Sequence, residues 1–248
     1  MLMWKKLHLH LLAAAILVLA VLSVEPVSVA QDKSQTDPDS MSVYKNAIYD
    51  AAVYKFSNVR PLKKLEFDPK THTARVVTLT GFAYTPGKMK VGIDVWVTAV
   101  PEVQNACRSF TGDIALRLRQ LLGFPPAHKF TNFVVITVKR EDIFRPAANP
   151  DPTTTSPCDK PMESNCGEAF PQQVSKNHVK WLANQMLSSY IISESDQTRD
   201  GYPWTRLGYT YDWRPGSNKY GASEFVIRKG SKVKVEEIVP YETYCRSK

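Results

Sequence analysis

The nine residues TNFVVITVK, from Thr131 to Lys139, are apolar on both sides of any extended chain. A strand of that kind needs a sheet covered on both faces, because a sheet with one wet face alternates apolar with polar residues. This requirement shapes the reading of everything around it. "TARVVTLTGFAY" is rich in β-branched and aromatic residues, and "VGIDVWVTAV" places Val91, Ile93, Val95, Val97 and Ala99 on one face by alternation. The Pro-Gly turn in "TPGK" between them predicts a hairpin whose other face, Asp94, Trp96 and Thr98, is wet or partly covered. A second hairpin is expected in "EFVIRKGSKVKVEEIV", turning at Lys229-Gly230-Ser231.

Helices supply the covers. Tyr44, Ala47, Ile48, Ala51 and Tyr54 recur at helical steps. From Pro101 to Gly123, Val103, Cys107, Phe110, Ile114, Leu118 and Leu121 form one longer apolar stripe, ended by Gly123 and Pro125. Ser175 can cap a third helix, running to about Tyr190 with His178, Leu182, Met186 and Ser189 on one face. Antiparallel hairpins mixed with separate helices predict an α+β fold, a mostly antiparallel sheet with two or three helices packed on it.

The N-terminus reads as an export signal. Lys5 and Lys6 precede the apolar run Leu11 to Leu22, and Ser28-Val29-Ala30 offers small residues for cleavage, so the mature chain is expected to begin at Gln31. The apolar run is well short of the roughly 20 residues a membrane helix needs, and no span is expected after cleavage. Residues 31–40 are polar and aperiodic and read as a flexible leader, with a single domain over 41–248. The expected location is periplasmic or secreted.

An exported chain with four cysteines predicts two disulfides. Cys158 and Cys166 are the local pair, inside an irregular loop over 147–171, which leaves Cys107 to meet Cys245. No C-x-x-C half-site supports zinc, and neither a metal nor another cofactor is expected. Without Lys5, Lys6 and Glu25 the formal net charge falls from +8 to +7, with basic residues interspersed among acidic ones. That pattern marks a solvated surface rather than a nucleic-acid interface.

No local catalytic signature is present: no H-E-x-x-H, G-x-S-x-G, G-x-x-x-x-G-K-[ST] or G-x-G-x-x-G. A hydrolase would have to assemble His178 with Glu168 or Asp212 through the fold. The most unusual stretch is GYPWTRLGYTYDW, residues 201–213, with five aromatic rings in thirteen positions. Its row Leu207, Tyr209, Tyr211 and Trp213 is expected in the core, against the sheet or the Trp181 helix, because a leucine shares the row. Tyr202, Trp204, Arg206 and Asp212 are then the candidate binding residues. The expectation is a bacterial-type exported protein with a non-catalytic binding or envelope-associated role, its partner an envelope polysaccharide or another exported protein. A cell-envelope hydrolase is the first alternative, and an inhibitor or immunity-like protein acting through the 147–171 loop is the second.

Overall fold

The computed structural model describes residues 38–158, 170–193 and 200–247. Eight strands form one antiparallel sheet: β1 (Thr73–Thr80), β2 (Gly87–Lys90), β3 (Val95–Ala99), β4 (Asn132–Lys139), β5 (Ile143–Phe144), β6 (Tyr209–Tyr211), β7 (Tyr220–Ile227) and β8 (Lys232–Pro240). Their spatial order is β2-β8-β4-β1-β3-β7-β5, with β6 also on β7. β5 and β6 share the outer edge of β7: the Arg228 and Glu224 amides, which point the same way, donate to Asp142 O at 2.9 Å and Gly208 O at 3.0 Å. The strand apolar on both sides is β4, held between β1 and β8.

Both expected hairpins need correction. β1 and β3 are antiparallel neighbours, with Val76 opposite Ala99, but the chain between them makes no tight turn. Gly87–Lys90 leaves to pair with β8 instead. Likewise the chain turns at 228–231, where Ser231 N donates to Arg228 O at 3.1 Å, yet β7 and β8 do not pair. Three strands lie between them in the sheet order. In a flat sheet that separation would be about 19 Å at ~4.8 Å per strand, beyond the roughly 17–18 Å that the five steps from Ile227 to Lys232 can span. The 91–94 link from β2 to β3 faces the same distance. The sheet must therefore roll, bringing these ends together, and the two links bond to each other: Val91 N to Ser231 O at 3.0 Å and Lys229 N to Asp94 Oδ1 at 2.7 Å. A one-residue register shift in β4·β8 after Val135 is the kind of irregularity that bends strands.

Rolling divides the core in two. One face gathers Val76, Val97, Val134, Ile136, Phe225 and Ile227, closed by Leu65 and Phe67 from the extended segment before β1. On the other face, Val77, Leu79, Phe133 and Val135 meet α2 (Glu102–Cys107), α3 (Ile114–Leu122) and α5 (Tyr241–Arg246). The single helix expected from Pro101 is thus two. Gly112, at φ +72°, breaks it, and Asp113 restarts it by accepting Leu116 N at 2.8 Å. The stripe survives because both pieces face the same sheet. Counting α1 (Pro38–Ala52) and α4 (Lys176–Ser189), there are five α-helices among the described residues rather than two or three. α1 starts inside the stretch read as leader, with Pro38 suited to a first turn; residues 31–37 and the export signal lie outside the described residues.

Cys107 of α2 and Cys245 of α5 form the expected disulfide. Among the described residues it is the one bridge with both partners present. Cys158 is buried and is not a free thiol, while Cys166 lies outside the described residues. The described part of the 147–171 loop is laid against the body, with Ala147 and Ala148 fully buried and Leu62 and Leu65 amides bonded to Thr155 O and Pro152 O. Among the described residues no helix is long and apolar enough to cross a membrane.

Candidate functional site

α4 is capped at its start, docked beside the sheet through its middle and tied to the 201–204 corner at its end. At its start, Ser175 Oγ accepts His178 N at 3.2 Å. In the middle, the Trp181 indole donates to Asp94 Oδ2 at 2.7 Å, and its ring lies 5.9 Å from Trp96, 6.1 Å from Trp204 and 4.8 Å from Phe144. At its end, Ser189 O accepts Tyr202 N at 2.7 Å. Gly201 makes that approach possible, since a Cβ there would overlap the Ser189 carbonyl. Tyr44 of α1 donates to Gly201 O at 2.8 Å, and Tyr190 donates to Trp204 O at 2.7 Å. The Tyr202-Pro203-Trp204 corner is therefore tied down from α1 and α4.

Between this corner, the end of α4, the end of α3 and the sheet lies a cavity of about 260 Å³. Val77, Leu79, Leu122, Phe124 and Phe133 form an apolar wall, and Trp96, Trp204 and Tyr202 an aromatic one. Tyr202, 45% exposed, stands at the mouth beside half-buried Gln185 and Phe124. The floor is Thr98 of β3 and Glu224 of β7, which face each other across the ladder.

Glu224 is the chemically distinctive group. Its carboxyl is buried, and desolvation pushes it up to about 8, against opposing pulls from the Trp204 indole and the Arg145 charge. The indole N–H is directed toward this carboxyl and lowers it as a donor, yet neither Trp204 Nε1 nor Glu224 Oε1 closes a hydrogen bond of full geometry. Arg145 offers no ion pair. It sits with its guanidinium 4.5 Å from the Phe225 ring, and successive strand side chains point to opposite faces. Its donors go to backbone: Nη1 to Gly208 O at 3.3 Å, Nη2 to Lys63 O at 2.8 Å and Thr154 O at 3.0 Å. Burial lowers Arg145 to about 10, still charged at neutral pH.

Of the four residues expected to bind, the structure brings Tyr202 and Trp204 to the cavity and takes the other two elsewhere. Arg206 is buried beneath Tyr190, 5.7 Å from that ring, with Nη2 on Ala52 O at 3.0 Å. Asp212 is clamped by both terminal nitrogens of Arg117, at 3.1 and 2.6 Å. Both carry charge in an aromatic stretch, and both spend it on holding that stretch in place. Trp204, only 4% exposed, is more deeply set than a rim residue. Sequence reasoning missed Glu224, although a lone acidic residue inside YGASEFVI is a signal. Trp96 and Thr98 were visible as a face needing partial cover.

His178 is buried, and its Nε2–H donates to Ala147 O at 2.7 Å. Nδ1 has no partner, and burial lowers the ring's basicity, so it is held neutral. Its ring contacts are Phe144 and Trp181. Asp212 is committed to Arg117, and Glu168 lies outside the described residues. No three metal-ligating side chains gather among the described residues. A second hollow, about 1250 Å³, borders Asp151, Thr154 and Arg228, but it is wide, open and polar.

No protein-family model, curated protein or solved structure matches the chain.

Proposed function

We propose that the chain is an exported binding protein, periplasmic or secreted, whose receptor site is the cavity between β3, β7, α4 and the Tyr202–Trp204 corner. The observation that carries this reading is the cavity itself, with apolar and aromatic walls and few polar groups, the usual make-up of a small-ligand site. Its volume equals the share of about eight or nine waters at ~30 Å³ each. That suits one small molecule or the terminal unit of an envelope polymer, not a polymer laid along the surface. Export is supported by the tripartite N-terminus and by the buried Cys107–Cys245 bridge, which suits an oxidising compartment. In the same reading Cys158 pairs with Cys166 and closes the 147–171 loop.

Benzyl alcohol is a suitable neutral probe, and the tryptophans lining the cavity report its entry by fluorescence. Saturable binding is expected, lost in Thr98→Phe, which fills the floor. Absence of saturation, or equal binding by a folded Thr98→Phe variant, would refute the site. Peptide mapping of the exported protein should find Gln31 at the N-terminus and a Cys158–Cys166 peptide; free thiols at these cysteines would refute the second bridge.

A further inference from the structure

Resting on that reading, we propose that the cavity is selective for amines: a compact apolar body carrying a protonated amino group that seats on Glu224. Three observations converge on this chemistry. Glu224 is 5% exposed, lines the cavity, and leaves Oε1 without a hydrogen-bond partner. A buried carboxyl in that position is costly unless a cation or donor arrives to meet it. An arriving ammonium supplies both the charge and the donors.

The surrounding charge favours the same occupant. Arg145 is the cation that lowers Glu224, and its charge also acts on Glu102 and Asp151. Its Nη donors are taken by carbonyls and its ring contact is on the opposite side of β7. The other polar and aromatic groups lining the cavity are uncharged: Thr98 and Trp96 from β3, Thr210 and Tyr211 from β6, Gln185 and Ser189 from α4, and Tyr202 and Trp204 from the corner. Tyr190 and Tyr209, which also feel Glu224, are held neutral by burial. Among the described residues no protein cation reaches the Glu224 carboxyl from within the cavity.

Seating an ammonium converts Glu224 from carboxylic acid to carboxylate, and the displaced proton leaves to solvent. No bond to carbon forms or breaks. At pH 7 most of the empty protein carries that proton, so amine binding should release nearly one proton per ligand, whereas a neutral ligand releases none.

The test is calorimetric titration of the full mature chain with benzylamine and with benzyl alcohol, at pH 7, in two buffers of different ionisation enthalpy. Benzylamine should bind on the order of tenfold more tightly than the alcohol and release nearly one proton. In Glu224→Gln the preference and the proton release should both vanish while benzyl alcohol still binds. Equal or tighter binding of the alcohol, or amine binding without proton release in the unmodified protein, would overturn amine selectivity and leave the cavity reading standing. Failure of both probes would overturn the cavity reading itself. Proton release is read in the unmodified chain, so the inference stays refutable even where Glu224→Gln does not fold.

Discussion

Glu224 holds its proton to about pH 8, whereas an exposed glutamate loses it near 4.5, and the difference must appear in stability. A carboxyl whose folded value is raised binds protons more tightly in the folded state. Its contribution is fully present below about 4.5 and is lost as pH rises through about 8. Thermal unfolding followed across that interval should show stability falling by an amount on the order of a few kcal/mol from this group. Glu224→Gln should flatten the slope and match or exceed the parent above pH 8; an unchanged slope would mean that the carboxyl is not desolvated. Asp50 works in the opposite direction: burial raises it, but Lys55, Lys219 and the Tyr211 hydroxyl outweigh that and lower it to about 2. Its stabilisation is present at neutral pH and is lost as pH falls from 3.8 through about 2. The aromatic row was legible because Leu207 shares it, and Leu207, Tyr209, Tyr211 and Trp213 are all buried. Their partners were not legible: Tyr211 and Trp213 pack on α1, not on the Trp181 helix, since only the fold brings a helix 160 residues earlier beneath them. Trp213, with Tyr44 5.7 Å away and its indole on Phe124 O at 2.9 Å, should cost about 3–5 kcal/mol when truncated to alanine, measured by denaturant unfolding.

At the level of elements, periodicity located the helices but could not say where one ends and another begins. Val103, Cys107, Leu118 and Leu121 keep step because α2 and α3 line the same sheet face, so the phase of the stripe hides the break. The signal lay in Gly112-Asp113, a left-handed glycine followed by a capping aspartate. α5, six residues long behind Pro240, is too short for periodicity to find, yet it carries half of the disulfide. That bridge ties α5 to α2 across 138 residues of sequence. In the chain-entropy view a loop of that length contributes ~5 kcal/mol by restricting the unfolded chain. Changing both Cys107 and Cys245 to serine should therefore lower unfolding stability by several kcal/mol, with α5, tied through Gln104 Nε2 to Tyr244 O, the first element to lose amide protection. Exchange protection in α5 equal to that of the parent would show that side-chain packing alone holds it.

Over the whole molecule, the strands were readable and their partners were not, because turn chemistry reports that a chain reverses and says nothing about which strand it then meets. Lys229-Gly230-Ser231 does reverse, but the roll of the sheet sends β8 to β4 and β2. The same roll leaves β2 as a terminal strand of the sheet order, a four-residue stretch GKMK that turns Met89 toward the inner core and Lys88 and Lys90 to solvent. In register, Lys88 stands opposite Lys234 and Lys90 opposite Lys232, four exposed lysines on a two-strand margin. Like charges directly opposite one another cost roughly 0.2–1 kcal/mol per pair, so local stability does not explain the arrangement. Protection of the margin does: a sheet edge invites pairing with another chain, and charge, lysine above all, discourages it. Lys88→Thr with Lys90→Thr should accordingly leave the melting temperature unchanged or slightly raised, since cross-strand repulsion is relieved. Light scattering should meanwhile show faster association of the variant at equal concentration, and added salt should push the parent in the same direction by screening its lysines. A variant that melts earlier, or one that stays as monodisperse as the parent, would show that these lysines serve something other than the edge.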